Sequence, residues 1–338
     1  MTTETIFEKL VVLGTGGTIA GTAASTSDNL GYTAAQLGVA QLLEAIPGLP
    51  GVLGGRVLLT EQVAQIDSKD MSYSVWRALA QRVSYHLSQV DVCGVVITHG
   101  TDTLEETAYF LHALLPAAQL AGKPVVLTCA MRPASSAAPD GPQNLLDALA
   151  VAGTAGACGV LAVCAGRVHS AVAVQKVHTY RLDAFDSGET GAVACVEEGR
   201  VRILGGWPGS TQGTAPGALA KVLNASHWPR VEIVLNHAGV DGLIVDALLA
   251  QAGATLAGGA SSMADPVRGL VVAATGNGTV HQDLEAALLR AHASGIKVVL
   301  ASRCCNGRVL PRAGALFPDS QGLSPVKARI ALMLALMQ

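Results

Sequence analysis

The residues best suited to chemistry in this chain of 338 residues lie in two turns rich in threonine and glycine. The first is Thr15-Gly16-Gly17-Thr18-Ile19-Ala20-Gly21; the second is His99-Gly100-Thr101-Asp102-Thr103-Leu104-Glu105-Glu106-Thr107. Each follows a short apolar run, Leu10 to Leu13 and Val95 to Ile97, and each precedes a helical pattern. Strand, turn and helix in that order put both turns at the carboxyl ends of parallel strands, where open α/β sheets hold their ligands. Glycines beside a hydroxyl let a substrate approach closely, and the neighbouring backbone N–H groups are expected to be free to hold an oxyanion.

Neither turn carries the glycine spacing of a dinucleotide fingerprint or a phosphate-binding loop ending in Lys-Ser or Lys-Thr. A purely structural reading exists for the second. Thr103 and Glu106 have capping-box spacing and would open a helix with Leu104, Ala108, Leu111 and Leu115 on one face. That accounts for Thr103 and Glu106 but leaves Thr101 and Asp102 without a role.

Together the two turns resemble the two signatures of the bacterial asparaginase and glutaminase-asparaginase family, and the resemblance runs along nearly the whole chain, strongest up to Asn144. It implies a threonine hydrolase in which Thr18 is the nucleophile and Tyr32, in Gly31-Tyr32-Thr33, polarises it from a mobile loop. Gly21 to Gly31, rich in Ser, Thr, Asn and Gly, has the composition of such a lid; an ordinary surface loop with Tyr32 packed locally is the alternative. Thr101 and Asp102 would form a relay with Lys176, in Val174-Gln175-Lys176-Val177. Without those partners Lys176 would read as a solvated strand edge.

The resemblance also implies the substrate contacts. Asp67-Ser68-Lys69-Asp70 matches the loop that receives an amino acid head group, Ser68 facing the carboxylate and Asp102 the ammonium, although Asp70 reads equally well as a helix cap. Gly17 and Gly100 would line the substrate, and Asn277 and Thr279, in Gly276-Asn277-Gly278-Thr279, match the segment that reaches a neighbouring subunit's site. Ala130-Met131-Arg132-Pro133 and Asp140-Gly141-Pro142-Gln143-Asn144-Leu145 recur as structural motifs. The sequence departs from the family after Arg303, where Cys304-Cys305-Asn306-Gly307-Arg308 brings no acidic residue before Asp319. Lys69 and Asp67 also replace a more usual glutamine and glycine or alanine, and Cys129 stands where glycine is usual.

Around these turns the chain alternates strand and helix patterns, for example Trp76, Leu79, Val83, Leu87 and Val90 at helical spacing after Ser72. The expected fold class is α/β with two domains. Residues 1–205 form a larger flavodoxin-like parallel sheet with the catalytic turns, 206–228 a linker marked by Pro208, Gly209, Gly213 and Pro216, and 229–338 a smaller Rossmann-like unit. Val193 to Val196 and Val201 to Leu204 read as a hairpin, and Ser324 with Pro325 as the start of the last helix. The uncharged stretch Ala148 to Gly166 is broken by glycines into a helix end, a loop and the strand Val160 to Cys164, which excludes a membrane span.

Half of the residues are hydrophobic and 14% are charged, so large subunit interfaces are expected, and the resemblance implies a homotetramer with active sites at the intimate dimer interface. A net charge of −3 with no basic run points away from nucleic acid and anionic membranes and toward a small-molecule substrate. Seven cysteines without C-x-x-C spacing read as buried free thiols, and with an N-terminus lacking signal-peptide character they place the chain in the cytoplasm. The nine histidines show no ligand spacing, and the implied chemistry calls for no metal and no cofactor. The expected activity is hydrolysis of L-asparagine to L-aspartate and ammonia through a threonine acyl-enzyme. The alternatives are a glutaminase-asparaginase of broader specificity, and a catalytically silent amino acid binder, which would need the head-group contacts but not the relay.

Overall fold

The computed structural model describes residues 8–208, 217–256 and 265–337, and the chain divides into two compact units, 1–219 and 220–338. In the first unit, runs of branched apolar residues form β1 (Lys9–Gly16), β2 (Val57–Ile66), β3 (Val92–Thr98), β4 (Val125–Thr128) and β5 (Val160–Cys164). These five are parallel, in the spatial order β2-β1-β3-β4-β5. Between them run α1 (Val39–Glu44), α2 (Leu49–Leu53), α3 (Tyr73–Ser88), α4 (Leu104–Leu114), α5 (Ala117–Leu120) and α6 (Gly141–Ala152). Strands β1, β3, β4 and β5 are buried almost throughout, as expected where helices cover both faces of a parallel sheet. Chain order reverses between β1 and β3, and the crevice beyond their carboxyl ends is where such sheets bind ligands.

The sheet is mixed rather than purely parallel. Strands β6 (Arg167–Ser170), β9 (Ala194–Glu197) and β10 (Arg200–Ile203) extend it with antiparallel pairings. The cause is local: Ala165 and Gly166 both take positive φ, 49° and 71°, and so form a two-residue turn that folds β6 directly back on β5. Glu198 and Gly199, at 48° and 69°, make the corresponding turn of the anticipated hairpin β9–β10. Between β6 and β9, β7 (Gln175–Lys176) and β8 (Phe185–Asp186) form a separate antiparallel pair.

The helices confirm most of the apolar spacing. Ser72 caps α3, accepting from the Val75 N–H at 3.4 Å, and Trp76, Leu79, Val83 and Leu87 are buried. Val90 is exposed because α3 has already ended at Ser88. On α4, Leu104, Ala108, Leu111 and the following Leu115 are buried, and Trp76 stacks on Phe110 with centroids 4.6 Å apart.

In the second unit, β11 (Arg230–Leu235), β12 (Val267–Ala274) and β13 (Lys297–Ser302) form a three-stranded parallel sheet, accompanied by α8 (Leu243–Leu256), α9 (Gln282–Ala293) and α10 (Pro325–Ala335). Its core gathers Leu270, Val272, Leu284, Leu288 and Phe317. Helix α7 (Ala218–Asn224) occupies part of the stretch expected as a linker, of which residues 209–216 lie outside the described residues. Pro325 starts α10 as expected, but the Ser324 side chain makes no capping bond. All seven cysteines are free; Cys129 and Cys164 are buried, Cys93, Cys158 and Cys195 are partly buried, and Cys304 and Cys305 are exposed, so the expectation of buried thiols fails at the last two. Among the described residues, no helix is long and apolar enough to cross a membrane.

Candidate active site

The first turn leaves β1 through two glycines that no other residue could replace without displacement. Gly16 (φ 100°) packs against the backbone of Ile66, and Gly17 (φ 82°) against the backbone of Gly100, so that a Cβ on Gly17 would collide with it. Gly17 and Gly100 therefore join the two turns backbone to backbone, with Thr18 and Thr101 each one residue further on. Thr18 opens a short 3₁₀ turn, Thr18–Ala20, and is buried. Its Oγ1 lies 2.7 Å from the Tyr32 hydroxyl.

The second turn is held by Ser68 and by a histidine. Ser68, buried, accepts from the Asp102 N–H through its Oγ at 3.2 Å, and its carbonyl accepts from the Thr103 hydroxyl at 2.8 Å. The anticipated capping box does not form: Thr103 stands at the N-cap of α4 but makes no side-chain cap, its hydroxyl being turned to donate to the Ser68 carbonyl. The flanking amides were expected to be free for an oxyanion, but two of them are not: Gly17 N–H donates to Ile66 O at 2.9 Å and Asp102 N–H to Ser68 Oγ. Ser68 Oγ keeps its own hydrogen to donate.

Lys176 completes the relay. From β7 its Nζ donates to Thr101 Oγ1 at 2.8 Å and to Asp102 Oδ1 at 2.6 Å, and Thr101 Oγ1 lies 3.5 Å from the same carboxylate oxygen. The lysine side chain is 19% exposed and the aspartate 53%, so the pair has a sheltered cation and a carboxylate open to solvent on its other side. Two contacts aim the lysine. Its residue pairs with Phe185 of β8, and its backbone N–H donates to Glu105 Oε1 on the first turn of α4 at 3.3 Å.

His99 is the residue that sequence reasoning passed over. It is fully buried, with Nε2 2.9 Å from Thr107 Oγ1 and Nδ1 2.8 Å from Gly100 O. Gly100 O can only accept, so the imidazole proton sits on Nδ1, and Nε2 is left to accept from the Thr107 hydroxyl, whose oxygen also accepts from Trp76 Nε1–H at 2.9 Å. Burial pushes the imidazole down to about 4, which keeps this tautomer neutral. Trp76, Thr107 and His99 thus fix the carbonyl that immediately precedes Thr101. The signal available in sequence was only the HGT order and a Thr eight residues on, which has no independent meaning.

Asp67 takes no part in the Thr101–Lys176 network; its carboxylate pairs with Lys69 Nζ at 2.7 Å and accepts from the Lys69 N–H. Asp140 and Asn144 brace the neighbouring loop, the Asp140 carboxylate accepting from Met131 and Arg132 N–H groups at 2.9 Å and Asn144 Nδ2 donating to Cys129 O. In the second unit, Asn277 Oδ1 accepts from Leu310 N–H at 2.7 Å, and the Thr279 hydroxyl donates to Thr275 O at 3.0 Å. Both side chains shape a cavity of about 350 Å³ that Arg312 and Asp319 also line.

Thr18 paired with Tyr32, and Thr101 paired with Lys176 and Asp102, stand on two joined turns at the carboxyl ends of parallel strands, an arrangement with the groups that a hydrolase built on threonine would need. Comparison with known proteins gives the family. Residues 9–207 match the model of the asparaginase N-terminal domain, and residues 230–338 that of the glutaminase/asparaginase C-terminal domain. The chain is 34% identical to L-asparaginase 2 of Bacillus subtilis, over 96% of this chain and 81% of that protein. It is also 34% identical to the glutaminase-asparaginase of Pseudomonas fluorescens, over 99% and 88%. The solved structure of a probable cytoplasmic L-asparaginase from Campylobacter jejuni superposes with a TM-score of 0.83 at 32% identity, covering 98% of this chain and 95% of that one. The chain belongs to the asparaginase family and is an amidohydrolase.

Proposed function

We propose that the protein hydrolyses L-asparagine to L-aspartate and ammonia, with L-glutamine as a side substrate. The observation that carries this reading is the Thr18–Tyr32 pair, joined through Gly17 and Gly100 to the Thr101–Asp102–Lys176 relay. Two activated hydroxyl sites suit a reaction in two halves, whereas a binder would need neither.

In the first half Thr18 Oγ1 attacks the carboxamide carbon, its proton passes by way of the Tyr32 hydroxyl to the departing nitrogen, and ammonia leaves as the C–N bond breaks. The substrate is left as an ester on Thr18. In the second half a water held by the Thr101 hydroxyl attacks that ester while its proton passes to the departing Thr18 oxygen, so that the acid is released and Thr18 regains its hydrogen. The Lys176 cation steadies negative charge on the Thr101 oxygen, and Asp102 both fixes the lysine and offers its exposed side to the substrate ammonium. Ser68 Oγ donates to the substrate carboxylate, with Asp67 and the backbone of Gly17 and Gly100 lining the same end. Asn277 and Thr279 supply contacts from a neighbouring copy in a homotetramer. Exposed Leu235, Leu243 and Ile244 in the second unit are consistent with subunit burial. Seven free cysteines accord with a cytoplasmic setting, although a relative in Haemophilus influenzae is named a probable periplasmic L-asparaginase.

Ammonia release from L-asparagine, L-glutamine and D-asparagine tests the reading, together with intact mass after reaction with a slow substrate analogue. An adduct on Thr18 that is lost in Thr18→Ala is expected. An adduct on Thr101 would reverse the two threonine roles, and no ammonia from any carboxamide would leave only the binder.

A further inference from the structure

The loop that carries Tyr32 is folded by its own hydrogen bonds rather than by a helix or strand. At its base Thr22 and Thr33 exchange two backbone bonds, each 2.9 Å. Along its flank Ala23 N–H donates to Ser135 Oγ at 2.8 Å and Ala137 N–H to Thr26 O at 2.9 Å. Its tip is exposed, Leu30 at 78%, and the two amides that lead into Tyr32 are held by a single side chain. Asp28 Oδ1 accepts from Leu30 N–H at 2.9 Å and from Gly31 N–H at 2.7 Å, the last two amides before Tyr32. These two bonds also hold the Asp28 carboxyl below the usual carboxylate range. Gly31 is what permits the approach, since a Cβ there would collide with the Asp28 carboxylate.

We propose that Asp28 is a positioning residue for the reaction: its carboxylate folds the tip of the loop so that the Tyr32 hydroxyl arrives at Thr18 Oγ1. The proposal rests on Thr18 and Tyr32 being nucleophile and partner. Asp28 bonds only to the loop's own backbone, so its effect reaches the reaction through the direction in which the chain enters Tyr32. An ionised oxygen accepting two backbone N–H groups is a stronger clamp than a neutral one, and no other side chain bonds to these two amides. Without it, the base bridge still closes the loop while the tip, and with it the tyrosine, samples other conformations. The ground-state contacts of the head group, centred on Ser68 and Asp102, lie on other elements and are untouched.

The test is a mutant cycle on the full-length enzyme, reading ammonia release for kcat and KM and equilibrium binding for L-aspartate. Asp28→Ala is expected to lower kcat about tenfold or more, within the range of one misplaced proton-transfer group, while aspartate affinity changes less than about twofold. Asp28→Asn, which keeps an acceptor oxygen in place, should recover most of the loss. The double variant Asp28→Ala with Tyr32→Phe should turn over no more slowly than Tyr32→Phe alone. Losses that multiply in the double variant, or an Asp28→Ala enzyme with unchanged kcat, would overturn the proposal. A fully active Tyr32→Phe enzyme instead overturns the Thr18–Tyr32 reading beneath it, so the two failures are told apart.

Discussion

Lys176 bonds to a hydroxyl and a carboxylate at once, and this double role decides how its removal should read out. If Thr101, Asp102 and Lys176 act as one unit, deleting either charge strands the other beside a substrate site, and a second deletion costs little more. Lys176→Met and Asp102→Asn should each lower kcat/KM steeply, and the double variant should fall well short of the product of the two losses. Fully additive losses would mean that no relay is shared. His99 gives a second prediction at this scale, with a definite sign. Its imidazole is depressed from an ordinary value of about 6.5 to about 4, so the unfolded chain binds the extra proton first as pH falls. Its contribution is complete above about pH 6.5 and is lost progressively down to about 4, at up to about 1.4 kcal/mol per pH unit. Denaturant melts of the parent and of His99→Gln across that window should differ in slope by one proton; parallel slopes would mean that the buried imidazole titrates normally. Thr18, Thr101 and Asp102 were legible because their residue types stand beside glycines after a strand. His99, Glu105 and Asp28 were not, because each acts through a backbone partner that only the folded chain brings near.

Among the elements, the contact that matters most is the one between two turns. Gly17 and Gly100 are glycines for a reason visible only in the folded chain: a Cβ on Gly17 would collide with the Gly100 backbone, and one on Gly100 with the Ser68 side chain. Gly17→Ala would push the turns apart at a φ of 82°, and a displacement of this kind near 1 Å costs about a hundredfold in turnover. Gly51→Ala, in α2 where a Cβ meets nothing within 4 Å, is the control and should leave kcat unchanged. Equal activity of the two variants would show that the turns need no such closeness. The alternation of strands and helices made the parallel half of the sheet readable, since buried strands are continuous apolar runs. The antiparallel edge was harder: β6 follows β5 after Ala165-Gly166, and nothing in that dipeptide's neighbours distinguishes a hairpin turn from the start of a crossover. β2 escaped for a related reason. As an edge strand it alternates half-buried and exposed residues, among them Glu61 and Gln62, and so lacks the apolar signature of its neighbours. Thr103 and Glu106 had the spacing of a capping box, but the Ser68 carbonyl from a distant segment outcompeted it.

At the scale of the whole molecule, the proposed assembly sets expectations for how tightly substrate is held. A composition that is half hydrophobic and only 14% charged predicts that much of the exposed apolar surface is covered by other copies, and sedimentation should return a tetramer at assay concentration. A monomer with full activity would contradict the cross-subunit role of Asn277 and Thr279. The segment after Arg303 sharpens the point, because it offers Cys304, Cys305, Asn306 and Arg308 and no carboxylate before Asp319. If Asp102 alone meets the substrate ammonium, one charge-assisted contact is missing, worth about 1.5–3 kcal/mol or one to two decades of affinity. The Michaelis constant for asparagine should then lie correspondingly above that of an enzyme with two carboxylates at the ammonium, and discrimination against glutamine should be weaker. Asp319 is the group that could defeat this expectation, since it lines the same cavity as Asn277 and Thr279 and spends one oxygen on the Gln321 N–H at 2.6 Å. A micromolar constant, with the Asp319 carboxylate within hydrogen-bond reach of the ammonium in an aspartate complex, would mean that the site is completed by another route. Asp319→Asn separates the cases: unchanged affinity leaves Asp102 as the sole anionic partner, and a tenfold loss makes Asp319 the second.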